Sequence, residues 1–282
     1  MTWGHRYLMC PPDHFEVTYA ITPWMGGTVD RDRAQRQWHE MVATLRMAGA
    51  VVEVIEPVTG LPDMVFTANA GVVDGTTFVP GAMRHPERRG ETEHFRRWAA
   101  GQGMAIAPLS DAALLEGLGD CMPLGDALVV GHGGRSNLHA HRDLTALTGR
   151  RVIGVALADP RWYHVDLTLC PLDDRRAIVH PAAYDAAGAR QVMASIPEPL
   201  VLTEAEAATF AANAVVVGST VIMPACPPRI GARLEAWGYD VVVVDVSEFT
   251  KAGGAVRCLT LPLDTALQTA LQTARDCALE VA

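Results

Sequence analysis

Cysteine, histidine and carboxylate side chains are the groups from which proteins build a nucleophile, its base and the partner that orients the base. In this chain of 282 residues three compact settings hold them. Cys258 follows a glycine pair in Lys251-Ala252-Gly253-Gly254-Ala255-Val256-Arg257-Cys258, where backbone free to take positive φ can approach a ligand closely. A cysteine nucleophile needs a base from elsewhere in the fold. Tyr163-His164-Val165-Asp166 offers one, and strand alternation would send His164 and Asp166 to one face, their side chains ~7 Å apart. Glu116-Gly117-Leu118-Gly119-Asp120 sets two carboxylates around glycines, with Glu116 suited to hold the His164 imidazole and raise its basicity. Each setting also has a plain reading: a buried cysteine acting as a small hydrophobe, a surface His-x-Asp, a solvated acidic loop.

Three further segments carry polar groups of less specific meaning. Pro62 to Gly71 reads as the end of a strand passing into a short polar turn at Asn69. Glu87-Arg88-Arg89-Gly90-Glu91 and Gly134-Arg135-Ser136-Asn137 read as solvated charges or as carboxylate clamps, because arginine's fork fits a carboxylate with two bonds.

The elements that must position these residues recur. An apolar run, a tight turn, a second apolar run, a helical segment and another short strand return at intervals of roughly 50 residues, a period typical of repeat architectures. The turns fall at Asp74-Gly75, Gly125-Asp126, Asp173-Asp174 and Gly218-Ser219. Helical apolar spacing covers Arg31–Met47, Glu91–Gly101, Ala186–Ser195 and Pro228–Trp237. A fifth unit would join the N-terminal strand Tyr7–Cys10 to the C-terminal Arg257–Pro262, so that the chain ends close a ring. The reading is one α/β domain over 1–282, a ring of about five ββαβ units, although an ordinary two-layer α/β domain fits each segment nearly as well. In the ring, residues at equivalent strand ends converge on one pocket. Those so collected are Asn69, Glu116, Asp120, His164, Asp166 and Cys258.

Bulk properties narrow the class. An apolar share of 49% with 20% charged residues is that of a globular chain, and no stretch nears the ~18 consecutive apolar residues of a membrane span. The first ten residues lack an apolar h-region, so no secretory signal and a cytoplasmic location are expected. The six cysteines contain no CxxC-type spacing and read as mostly reduced thiols, with no metal and no cofactor expected. A formal charge of −9 gives no electrostatic footprint for nucleic acid. A small-molecule substrate is the expected partner, and a homo-oligomer is compatible with the sequence.

Six motifs in order resemble those of the guanidine-group-modifying enzymes: arginine deiminases, dimethylarginine dimethylaminohydrolases, amidinotransferases and arginine dihydrolases. They are Met9 to Phe15, Pro23-Trp24-Met25, Pro62 to Gly71, Glu116 to Asp120, His164-x-Asp166 and Gly253-Gly254-x-x-Arg257-Cys258, and they span nearly the whole chain. The resemblance implies a five-bladed α/β propeller (pentein). It also implies a catalytic set of Cys258, His164 and Glu116, and a substrate-binding set of Asn69, Asp166, Arg88, Arg135, Asp120 and Thr22. Cys258 would attack the guanidinium carbon, His164 would protonate the departing amine and then activate water, and Asp166 would hold the guanidinium. Arg88 and Arg135 match positions that bind the substrate α-carboxylate.

Two departures matter. Asn69 stands where deiminases and dimethylaminohydrolases have aspartate, and Phe-Thr-Ala-Asn-Ala-Gly is shared with the arginine dihydrolases, which take arginine to ornithine, carbon dioxide and two ammonia. Thr22 stands where the family usually has asparagine. The competing readings are a dimethylargininase releasing citrulline and dimethylamine, an arginine deiminase, and a non-catalytic binding protein of the same fold.

Overall fold

A computed structural model describes residues 4–265, and two-residue turns organise it. Gly75-Thr76, Gly125-Asp126 and Gly218-Ser219 each join two short apolar strands. Their glycines sit at φ 58, 57 and 58, the left-handed region that strains any side chain. Positive φ at the first turn position alone is the type II′ turn, whose twist matches that of paired strands. The remaining hairpin has no glycine. There Asp173 Oδ1 accepts the backbone N–H groups of Arg175 and Arg176 at 2.7 and 2.8 Å and closes a wider turn.

After each hairpin the chain departs through a helix and returns parallel to the hairpin's second strand, since parallel pairing needs a crossover. Five three-stranded sheets result. In order of pairing they are Gly71–Asp74, Thr77–Pro80 and Ala105–Ile106; Cys121–Leu124, Ala127–His132 and Arg151–Ala156; Leu169–Pro171, Arg176–Val179 and Glu198–Val201; Val215–Val217, Thr220–Met223 and Asp240–Val243; and Leu261–Pro262, Arg6–Met9 and Val51–Val54. The crossover helices are Glu91–Gly101, Leu138–Thr148, Ala186–Ala194, Pro228–Ala236 and Arg31–Met47. Asparagine or aspartate caps three of them: Asp30, Asn137 and Asp185 accept first-turn N–H groups. The last sheet joins the two ends of the described chain, with Tyr7 opposite Pro262 and Leu8 opposite Leu261. The architecture is the five-bladed α/β propeller of ββαβ repeats.

Several local expectations are corrected. His164 and Asp166 do not lie on a strand. His164 precedes a 3-10 turn, Val165–Leu167, because Val165 N–H donates to Asp120 Oδ1 and Thr168 N–H to Val165 O, which closes a turn instead of a ladder. Pro62 to Ala70 is likewise two 3-10 turns, Pro62–Val65 and Thr67–Ala70, and not a strand end. Asp120 ends a one-turn helix, Gly117–Asp120, ahead of its strand. The C-terminal strand is only Leu261–Pro262, leaving Cys258 in the turn before it. Of the six cysteines, Cys277 lies outside the described residues and the other five are free thiols. No helix among the described residues is long and apolar enough to cross a membrane.

Candidate active site

The propeller delivers one polar residue from each blade, just ahead of its first strand: Asn69, Asp120, Asp166, Asn213 and Cys258. All five are buried. The Cys258 thiol donates to Asp166 Oδ2 at 3.3 Å, and Asn213 Nδ2 donates to the Cys258 sulfur at 3.2 Å. The Ala-rich run around Asn213 gives no local sign of a site residue. Its signal is positional: Asn213-Ala214 stands before its strand as Asn69-Ala70 does three repeats earlier.

A second cluster adjoins the first. His164 Nε2 lies 2.8 Å from Glu116 Oε2, and Arg135 Nη1 donates to the same oxygen at 2.8 Å. Arg135 also donates to the Ile21 carbonyl and lies over the Tyr163 ring, 4.9 Å from its centroid. Tyr163 packs its ring 4.6 Å from that of His164 and donates its hydroxyl to the Gly253 carbonyl, tying the histidine turn to the cysteine loop. Gly119 permits a close approach: a Cβ there would meet Asn69 Nδ2 at 2.4 Å and His164 Nδ1 at 3.0 Å. Asp120 lies behind this cluster, its carboxylate taken by Ser136 Oγ at 2.6 Å and Val165 N–H at 3.3 Å.

Arg88 is not a solvated charge. It is buried, with Nε and Nη2 on the Glu91 carboxylate at 2.9 and 2.8 Å, Nη2 also on the Asp63 carbonyl and Nη1 on Asn69 Oδ1 at 2.8 Å. A narrow cleft with about 270 Å³ of empty space is lined by residues of both clusters, among them Thr22, Asp63, Asn69, Arg88, Arg135 and Cys258. Thr22 Oγ1 accepts Trp24 N–H at 3.1 Å. Among the described residues no group of three or more His, Cys, Asp or Glu is placed to hold a metal.

The electrostatics divide the acids. Burial raises a carboxylate's pKa, yet the His164 hydrogen bond and the Arg135 charge outweigh it at Glu116 and hold that carboxyl well below the usual range. At Asp166 burial wins over the nearby His164 and Arg257 charges and pushes the carboxyl up to about 6. Burial, followed by the Asp166 charge, pushes the Cys258 thiol well above its ordinary value, which favours the protonated sulfur.

A thiol facing a carboxylate and a histidine on an ionised glutamate thus lie by a narrow cleft of a five-bladed propeller, the fold of the guanidine-modifying superfamily. The chain is of that class, a hydrolase acting on guanidino C–N bonds. The family profile described as N,N dimethylarginine dimethylhydrolase, eukaryotic, matches residues 26–265, and the chain belongs to that family. It is 39% identical to the N(G),N(G)-dimethylarginine dimethylaminohydrolase of Mycobacterium tuberculosis, covering 92% of this chain and 85% of that one. It is 40% identical to the bifunctional arginine dihydrolase/ornithine cyclodeaminase AgrE of a Nostoc species over 93% of this chain, though it spans only 38% of that longer protein. The crystal structure of the N-terminal domain of ArgZ, a cyanobacterial arginine dihydrolase bound to product, superposes with a TM-score of 0.90 at 36% identity, covering 94% of this chain and 99% of that one.

Proposed function

We propose that the chain hydrolyses free arginine twice, yielding ornithine, carbon dioxide and two ammonia through a covalent thiouronium on Cys258. The guanidinium enters beneath the sulfur with its N–H groups on Asp166. Its positive charge favours the thiolate, the thiol proton passes to His164 Nδ1, and sulfur attacks the planar carbon, a route that splits the hydrolysis of a resonance-stabilised cation into two easier steps. Glu116 holds His164 by Nε2, leaving Nδ1 to give a proton to the departing ammonia and then to take one from the water that attacks the thiouronium. Arg135 and Arg88 offer their remaining donors to the α-carboxylate, while Thr22 lines the cleft and Asp120 supports the His164 turn. No cofactor is needed. The free thiols support a reducing, cytoplasmic setting for this single catalytic domain.

The observation that carries two hydrolyses over one is the amide of Asn69. Arg88 can only donate, so it fixes Oδ1 toward itself and turns Nδ2 to the Glu116 carbonyl at 3.1 Å. One N–H of Nδ2 remains for the neutral ureido oxygen of citrulline, which needs a donor that a carboxylate does not supply. An aspartate here would also set an acceptor against the Glu116 carbonyl. Incubation with arginine and mass spectrometry of the products is expected to give ornithine. In Asn69→Asp, either citrulline replaces ornithine or turnover is lost, and an unchanged product ratio would remove this account of Asn69. The second reading, dimethylarginine to citrulline and dimethylamine, is favoured by the family description and the mycobacterial relative. Dimethylamine release from dimethylarginine at a kcat/KM above that for arginine would establish it.

Asp166 sets an acid limit on turnover. Its carboxyl must be ionised to hold a guanidinium, and with its value near 6 in the free protein kcat/KM should fall about tenfold per pH unit below that point. A profile that stays flat down to pH ~4.5 would exclude Asp166 from substrate binding. The same raised carboxyl has a sign for stability: its contribution is lost as pH rises from its unfolded value of 3.8 to about 6.

A further inference from the structure

The amide of Asn213 has every hydrogen-bonding position in use. Oδ1 accepts the backbone N–H groups of Arg257 at 2.9 Å and Cys258 at 3.3 Å. Nδ2 donates to the Asp166 carbonyl and to the Cys258 sulfur, each at 3.2 Å. The two ends cannot be exchanged. Backbone N–H groups only donate and a carbonyl only accepts, so a flipped amide would face donors with a donor and acceptors with an acceptor. The surrounding backbone therefore dictates that an N–H points at the sulfur.

We propose that Asn213 is a catalytic residue whose side-chain N–H is the hydrogen-bond donor that stabilises the Cys258 thiolate as the sulfur attacks carbon. This rests on Cys258 being the nucleophile. The sulfur has two side-chain hydrogen-bond neighbours of opposite effect: the Asp166 carboxylate takes the thiol proton's hydrogen bond and opposes ionisation, while the Asn213 N–H favours it. When Asp166 turns its oxygens to the substrate cation, Asn213 stays on the sulfur, because its other three bonds hold it to backbone. The full burial of Asn213 keeps competing water from that N–H, which raises the weight of the contact.

The test compares Asn213→Ala and Asn213→Asp with the parent protein, measuring kcat/KM and the pH dependence of Cys258 alkylation by iodoacetamide, followed at that cysteine by peptide mass spectrometry. Asn213→Asp keeps the acceptor for the two backbone N–H groups and changes only the Nδ2 end, which faces the sulfur and the Asp166 carbonyl. Both variants should lose roughly 10–100-fold in kcat/KM at pH ~8, the range expected for a lost hydrogen bond to a charged group, and should shift alkylation to more alkaline pH. Relative to the parent at each pH, Asn213→Asp should recover as acid protonates its carboxyl into an O–H donor, and Asn213→Ala should not. Asp166, Arg257 and Tyr163 act on the sulfur and His164 on Asp166 beside it, and all four are common to all variants. Folded Asn213→Asp with the parent's kcat/KM and alkylation profile overturns the proposal, as does a loss of stability with neither readout moved. If Asn213→Ala does not fold, Asn213→Asp alone decides. Turnover surviving in Cys258→Ala removes the nucleophile and this inference together. An inactive Cys258→Ala beside a fully active Asn213→Asp removes this inference alone.

Discussion

Replacing Cys258 with alanine is expected to lower kcat by about 10⁴-fold or more, the scale seen when a covalent nucleophile is removed from an otherwise intact site. The fold should survive. The thiol is buried and neutral, and its truncation leaves Asn213 on its three bonds to backbone, while the buried Asp166 carboxyl loses the thiol's hydrogen bond to Oδ2, a loss of about 1–3 kcal/mol that should lower the melting temperature by roughly 2–10 °C without unfolding the chain. Arginine binding should persist, because the groups assigned to hold it remain. Calorimetric titration of the variant with arginine, alongside a sensitive ammonia assay, checks both halves. Turnover above a small residue, or an unfolded variant, would count against a thiol whose part is chemical and not structural.

Glu116→Gln carries the second large effect, and it acts on rate and stability at once. One fully buried carboxylate oxygen holds both His164 and Arg135 at 2.8 Å. Gln keeps the shape and removes the charge. His164 loses the partner that orients it and stabilises its protonated form, which should cost roughly 10²–10⁴-fold in kcat. Arg135 is left with a buried charge lacking its counter-ion, a loss of about 3–5 kcal/mol at neutral pH. The sign of the pH dependence follows from the depressed carboxyl. Because Glu116 is held below its unfolded value of 4.5, its stabilising contribution is complete above that pH and drains away in acid. The difference between parent and variant in urea unfolding should therefore shrink by about 1.4 kcal/mol per pH unit below that point. A difference that stays constant from pH ~7 to ~3 would show that Glu116 is not held ionised by the pair.

Much of the molecule was legible before any coordinates. The recurring hairpin turns and the helical apolar spacing revealed five units and a ring closed by the chain ends, because two-residue turns and amphipathic periodicity are local and each residue carries its own preference. Crossover helices such as Arg31–Met47 and Glu91–Gly101 begin and end where that periodicity does. The motifs around Cys258, His164, Glu116 and Asn69 were visible for the same reason, as unusual residue types beside glycine.

Contacts across blades were not legible in this way. No local rule distinguishes a strand that carries His164 and Asp166 from the 3-10 turn that does, since the choice is made by Asp120 reaching in from another blade to take Val165 N–H. The burial of Arg88 on Glu91 was hidden because a charged run reads as solvated until something covers it. Asn213 was hidden more completely: an asparagine acquires meaning only from the groups that its two ends face, and those come from chain 44 or more positions away. The sequence by itself determined the repeats, the ring and the residue types able to do chemistry. Tertiary structure alone decided which hydrogen bonds those residues make, because the propeller gathers its site from five blades, and a donor or acceptor is defined by its distance and direction from a partner that local sequence does not contain.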